Sequence, residues 1–378
     1  MAGSGVTLRV RASFADSRAQ STWEGIEMSL VTTCIGAFPK PHFVKLPDWF
    51  QGPDGPDTVN STERWAKALT VLGPDADTII TRGIAQVISD QITAGISIPT
   101  DGEVARENYI HYHCRHIEGI DFEHLSRTAL RNGAYEANLP TVVSKVQVRD
   151  QFLVADWRRA QNLTDRPVKI TLPGPMTISD TTVDTYYDDP VRLGADLAAA
   201  LNVEVKALNE AGCRHIQIDE PLFARKPDAA LSFGFENLER AFHGCDKSVI
   251  RTVHICCGYP NRLDNPDYPK ADLGSYEKLV NAIEYSSIAA VSIEDAHRHN
   301  DLRLLESFKT TTVILGVVAV AKSVVEEVEE IHQRLTSALE HIDAHRLVAA
   351  PDCGLGLLSR ETACRKLHNL CQAAGSIG

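Results

Sequence analysis

The stretch RHIQIDEP, residues 214–221, is a short apolar run built on Ile216 and Ile218 that stops on two carboxylates and a proline. A run of this length, rich in β-branched residues and ended by a turn signal, reads as a buried strand. Seven more segments share its form. They are MSLVTTCIG (28–36), GISIPTDGE (95–103), PVKITLPGP (167–175), SVIRTVHICC (248–257), SIAAVSIE (287–294), TTVILGVV (311–318) and HRLVAAPD (345–352). Most are separated by stretches of helical spacing, such as residues 189–212 and 324–342, where apolar residues recur three and four apart. Eight strands alternating with helices predict an α/β fold of the parallel (β/α)8 barrel type. An open doubly wound sheet produces the same local signals, but no GxGxxG follows the first strand, as a dinucleotide-binding version of that sheet would require.

One segment breaks the rhythm. Residues 104–166 are too long for one crossover helix, and Asn132-Gly133 lies within them between strand-like flanks. That is a hairpin signal, so the expected architecture is a barrel with a hairpin-containing insertion between its second and third strands, at the barrel mouth. The barrel is expected over residues 28–378, preceded by a flexible extension at 1–27. The extension has Arg9, Arg11 and Arg18 but also Asp16, Glu24 and Glu27, which count against a targeting peptide.

Bulk composition narrows the function classes. With 378 residues, 43% hydrophobic and 23% charged, the chain has the profile of a soluble globular protein. A formal net charge of −12 argues against nucleic acid or an anionic membrane as partner, since both need a basic footprint. No window approaches the ~20 apolar residues of a membrane span. Nine cysteines, an odd number without framework spacing, point to free thiols in a reducing, cytoplasmic setting.

The strand ends carry the chemistry. Barrel active sites form where the C-terminal ends of strands converge. Those ends here hold Glu103, Asp219 with Glu220, His254 with Cys256, Glu294 with Asp295, and Asp352 with Cys353. Residues two apart on a strand share a face, so His254 and Cys256 project together while Cys257 faces away. By itself a His-x-Cys fits a packed strand as well as a metal site. With Glu294 ending the next strand and Cys353 the last, a closed barrel supplies four ligands of the kinds that bind zinc, and thiolate with imidazole favours zinc over magnesium or calcium. Cys34, Cys213, Cys245, Cys257 and Cys364 are left as buried or incidental thiols.

IGAFPKP, DGE, IQIDEP, HICCG, SIED and PDCGL occur in this order, and together they resemble the C-terminal catalytic domain of cobalamin-independent methionine synthase. The resemblance extends over roughly residues 28–372 and is closest in kind to the short, single-barrel members of that superfamily. It implies a (β/α)8 barrel with zinc held by His254, Cys256, Glu294 and Cys353, and a substrate thiol, homocysteine, presented as thiolate to a methyl donor. It further implies that Glu103 and Asp219 grip the amino group of homocysteine, with the Ile35-Gly36 backbone at the amino acid's other end. Ala37 stands where the family has serine. The folate side departs more. Ser179-Asp180 replaces the family's Asn-Trp, Arg225 replaces a glutamate, and Ala321 aligns with its helper histidine. The sequence therefore predicts a zinc-dependent thiol alkyltransferase whose donor is not specified, with the mouth near Asp180, Tyr186 and Tyr187. His297 and His299 are candidates for proton relays or for an ordinary solvated loop. A different thiol such as coenzyme M, or a non-catalytic zinc- or metabolite-binding protein, are the alternatives, and the oligomeric state is not specified.

Overall fold

The computed structural model describes residues 29–48, 50, 61–130, 135–260, 262–265 and 268–377. The extension expected at residues 1–27 and the Asn132-Gly133 turn lie outside the described residues. In chain order the strands are β1 (Val31–Thr32), β2 (Ile117–Leu130), β3 (Tyr135–Val148), β4 (Lys169–Pro173) and β5 (Val183–Asp184). They continue with β6 (His215–Asp219), β7 (Ile250–Ile255), β8 (Ala290–Glu294), β9 (Thr312–Val318) and β10 (Leu347–Pro351).

Seven of them form one parallel sheet in the order β1-β10-β9-β8-β7-β6-β4. The remaining stave is residues 98–100, joined to its neighbours by the parallel bridges Thr33–Ile98 and Thr100–Lys169, which close the ring. Pro99 sits between those bridges and has no N–H to donate, so this stave pairs only through isolated contacts, one of them Lys169 N–H to Pro99 O at 2.9 Å. All eight expected runs thus take a place in a (β/α)8 barrel.

Strands buried on both faces must be apolar along their length, and β4, β6, β8, β9 and β10 are buried throughout. The inward rows are not uniform. Ile35, Ile250, Ala290, Ile314, Val348 and Ala350 form a small apolar cluster of their own. Moving along the same rows at period two, Ile250 is followed by Thr252, His254 and Cys256, and Ala290 by Ser292 and Glu294. Polarity therefore rises toward the C-terminal ends of the strands, where the loops begin. Outside, helix Pro190–Glu210 has Asp189 at its N-cap, accepting from Val191 N–H at 3.0 Å and Arg192 N–H at 3.2 Å, with proline in its first turn. Helix Val328–Leu339 is the other expected crossover, and Glu330 reaches back to the Glu327 N–H at 3.3 Å.

Between residues 98–100 and β4 the chain leaves the barrel. β2 and β3 pair antiparallel, from Leu130 opposite Tyr135 to Ile117 opposite Val148, and β5 adds to β3 in parallel. Tyr187 ties this hairpin down: its hydroxyl donates to Asp196 at 2.6 Å and accepts from Val146 N–H at 2.8 Å. That corrects one expectation. Tyr187 anchors the hairpin to the barrel and, like the half-exposed Tyr186, does not line the cavity at the mouth, whereas Leu139 of β3 and Asp180 do. Among the described residues, no helix is long and apolar enough to cross a membrane.

Candidate active site

His254 near the end of β7, Cys256 just past it and Cys353 just past β10 bring an imidazole nitrogen and two sulfurs within 4.8 Å of one another. The arrangement follows from register. His254 pairs with Ser292 of β8, whose hydroxyl lies 2.9 Å from His254 Nδ1. This orients the ring so that Nε2 faces Cys353 Sγ at 3.4 Å, the kind of outer support that fixes a metal-binding histidine. The thiols are not equivalent. A hydrogen bond from Cys353 holds Cys256 below the usual thiol range against the opposing effect of burial, with His254 and Arg225 assisting, while that same bond and burial push Cys353 up. Two sulfurs, one of them eased toward its ionised form, thus sit beside an imidazole, a donor set that suits a soft or borderline cation such as zinc.

Glu294 stands two residues beyond Ser292, level with Cys256. Its carboxylate accepts from Cys257 N–H at 3.0 Å and pairs with Lys270. Burial, then the nearby Asp352, raise it to about 7. The structure therefore gathers three of the four expected ligands in one cluster and holds the fourth alongside it on a lysine. Cys257 turns away, as its strand parity predicts, with Sγ 3.3 Å from the Tyr276 hydroxyl.

The two carboxylates expected to hold an amino group face the same pocket, a cavity of about 140 Å³ that also contains His254, Cys256 and Cys353. Glu103 adopts a left-handed backbone, φ 56°. Its Oε1 accepts from Thr171 Oγ1 at 2.8 Å and from Arg106 at 3.4 Å. Asp219 Oδ1 accepts from Gln217 Nε2 at 2.7 Å. Burial is the main cause that raises Glu103 to about 7 and Asp219 to about 6. Each keeps a second oxygen with no hydrogen-bonding partner among the described residues. Gly36 completes this corner, since a Cβ there would fall 2.7 Å from Glu103 Oε1. Ile35 is placed by its carbonyl, which accepts from Gln217 Nε2 at 2.8 Å.

Glu220 has a different task from its neighbour. It accepts from Met176 N–H at 2.9 Å and Thr177 N–H at 3.1 Å, capping helix Pro175–Asp180 on the adjacent loop. Asp352 is equally committed. It accepts the N–H groups of Asp295, Ala296 and His297 at 2.7 to 2.9 Å, and His297 Nδ1 at 2.7 Å. His297 Nε2 in turn accepts from Ala321 N–H at 3.1 Å. Both ring nitrogens are used, so His297 and Asp352 are committed to each other and to the loops around them, while Glu294, close to both, is held by Lys270 and the Cys257 N–H. His299 is 66% exposed in its side chain and pairs with Asp295 at 3.4 Å.

Asp352 also explains a glycine. A Cβ on Gly316 of β9 would lie 2.3 Å from Asp352 Oδ1 and 2.6 Å from its Cα, beside the register shift between Ala350 and Pro351. Gly316→Ala is expected to cost about 2 kcal/mol, the scale of overpacking a rigid interior, and to displace the adjoining Cys353. Chemical denaturation together with metal content of the variant checks both effects.

Arg106, Thr171, Gln217, Ser292, Lys270 and Lys169 were not picked out from the sequence. Lys169, a lysine within the apolar run of β4, was a visible signal. Its Nζ is buried with no hydrogen-bonding partner among the described residues, and burial lowers it to about 8.

A family model described as the catalytic domain of cobalamin-independent synthase matches residues 51–236 and 273–376. A methionine synthase of Saccharolobus solfataricus is 32% identical over 345 residues, covering 90% of this chain and 92% of that protein. One of Thermococcus kodakarensis is 32% identical over 286 residues, covering 75% of this chain and 79% of the relative. Among solved structures, a B12-independent methionine synthase from Shewanella sp. W3-18-1 in complex with selenomethionine superposes with a TM-score of 0.80 at 31% identity, over 92% of this chain and 97% of that one. A putative B12-independent methionine synthase from Listeria monocytogenes, at 18% identity and TM-score 0.68, shares the fold.

Proposed function

Because the chain belongs to the cobalamin-independent methionine synthase family, we propose that it transfers a methyl group to the sulfur of homocysteine, giving methionine, at a zinc held by His254, Cys256, Cys353 and Glu294. The observation that carries this reading is the coincidence, in one cavity, of the His254–Cys256–Cys353 donor set with the two carboxylates Glu103 and Asp219. The Shewanella relative's complex with selenomethionine, the selenium analogue of such a product, agrees with it.

Bound there, the metal supplies Lewis acidity, which keeps a substrate thiol of ordinary pKa near 8.5 ionised at neutral pH. The chain's own residues do the rest. Asp219 and Glu103 hold the substrate ammonium through their open oxygens. Ser292 fixes His254, and Gln217 and Thr171 fix the carboxylates, so little reorganisation is left for the reaction step. Glu294, paired with Lys270 in the free site, would be the fourth residue to hold the metal. Transfer forms the sulfur–methyl bond from the thiolate lone pair and breaks the methyl–donor bond, whose electron pair leaves with the donor.

Recognition of an ammonium by two carboxylates separates homocysteine from coenzyme M, which has none. Calorimetry on the zinc-loaded protein is expected to show saturable homocysteine binding and at least tenfold weaker binding of coenzyme M. Equal affinities would mean that Glu103 and Asp219 do not read the ammonium. A pH dependence follows with a fixed sign. The ionised carboxylates bind, and they sit at about 7 and about 6 in the free pocket. Homocysteine affinity is therefore lost as pH falls through 7 to 6, measured by the same titration across that range.

A further inference from the structure

The cavity has an outer part that the homocysteine reading does not use. It is formed by the loops after β4, β6 and the hairpin, with Asp180, Thr181, Leu222, Arg225, His111 and Leu139 on its walls. Its charges are unevenly matched. Asp180 is engaged by Lys226 at 2.6 Å. Deeper in the same cavity, Asp219 is held by Gln217 and Glu103 by Arg106 and Thr171. Arg225, closing the short helix Leu222–Arg225, has no hydrogen bond or ion pair among the described residues, and its Nε is sealed from solvent.

A guanidinium is charged at every working pH and presents a planar fork of donors suited to an oxyanion. Leaving one of those donors buried without an acceptor is unfavourable unless a ligand supplies the acceptor. Ile35, Gly36, Glu103 and Asp219 define the amino-acid corner. Arg225 lies one loop outward, six residues past Asp219, beside the apolar Leu222 and Leu139. His111 cannot provide the charge instead, because burial lowers it to about 4 and keeps it neutral.

We infer that Arg225 binds an anionic group, a carboxylate or a phosphate, on the methyl donor, and that the apolar walls beside it take the donor's uncharged body. This rests on the methyl-transfer reading of the same cavity, and it names the chemical class of the second substrate: a donor with an apolar portion and an oxyanion.

The test uses the zinc-loaded full-length protein saturated with homocysteine and three small probes of one shape: benzoate, phenyl phosphate and the uncharged benzamide. Calorimetry or ligand-observed NMR is expected to show an anion bound at least tenfold more tightly than benzamide. Preference for benzoate assigns a carboxylate, and preference for phenyl phosphate assigns a phosphate. Arg225→Gln is expected to abolish the discrimination and Arg225→Lys to keep part of it. Zinc content and homocysteine affinity are measured on the same samples, and the discrimination is compared at matched zinc and homocysteine occupancy, because Arg225 also favours the ionised form of Cys256. The inference is overturned if wild type does not discriminate or binds no probe, or if Arg225→Gln discriminates as well as wild type. It is equally overturned if Arg225→Gln loses homocysteine affinity as much as anion affinity, which would place Arg225 on the amino acid. If wild type holds neither zinc nor homocysteine but shows Arg225-dependent anion preference in their absence, the anion site stands and the methyl-transfer reading falls.

Discussion

Cys353→Ser loses zinc and thiol activation together, while Cys257→Ser, the same substitution one residue past Cys256, loses neither. The difference is geometric. Cys353 Sγ lies 3.4 Å from His254 Nε2 and within the cluster of metal-ligating atoms, whereas Cys257 Sγ points to the Tyr276 hydroxyl. A four-ligand zinc site is worth roughly 10–16 kcal/mol, so one thiolate accounts for about 3 kcal/mol, or roughly 150-fold in metal affinity. A serine hydroxyl does not replace it at neutral pH. Metal content after dialysis against a competing chelator, with thiol alkylation measured alongside, checks the pair. Equal zinc loss in both variants would mean that β7 presents its other face.

The second large effect is at Asp219. Asp219→Asn keeps the volume and an acceptor for Gln217, and removes the charge that faces the ammonium. Truncating one side of a buried charge pair costs about 2–5 kcal/mol, so homocysteine affinity is expected to fall about 100-fold with zinc content unchanged. Stability moves the other way. Burial raises the Asp219 carboxyl in the folded protein to about 6, so its ionised form is disfavoured by folding, and that penalty is present above pH 6 and relieved as pH falls through it. Replacing it by an amide should hold or raise the melting temperature at pH 7, by roughly 1–3 kcal/mol of stability. A variant that binds worse and melts no earlier identifies Asp219 as a residue kept for function. Loss of both would make it structural.

The strand ends were legible because period-two parity and barrel convergence are both readable along one dimension. IQIDEP and HICC each set an apolar outward face, Ile216 with Ile218 or Ile255, against an inward row that carries polar groups, Gln217 with Asp219 or His254 with Cys256, and the parity that separated Cys256 from Cys257 holds in the structure. Glu220 shows the limit. At a strand end beside Asp219 nothing local marks it as different from its neighbour, yet it caps helix Pro175–Asp180, some forty residues earlier. Contacts of that kind depend on which loops a closed barrel makes adjacent, and no local pattern encodes them. His297 belongs to the same class: its burial against Asp352 arises from a loop on one strand meeting the end of another two places round the ring. The pairing of Glu294 with Lys270 was hidden for a further reason, since Lys270 lies in an irregular loop with no periodicity to mark its direction.

The most direct test of the account is sulfur coordination at the metal. Zinc-edge X-ray absorption of the purified, zinc-loaded protein is recorded before and after homocysteine is added. One tightly held zinc is expected with two sulfurs from Cys256 and Cys353, rising to three sulfurs when homocysteine binds, and no such rise in Asp219→Asn at the same concentration. A protein that holds no zinc, or whose zinc keeps two sulfurs at saturating homocysteine, would contradict it.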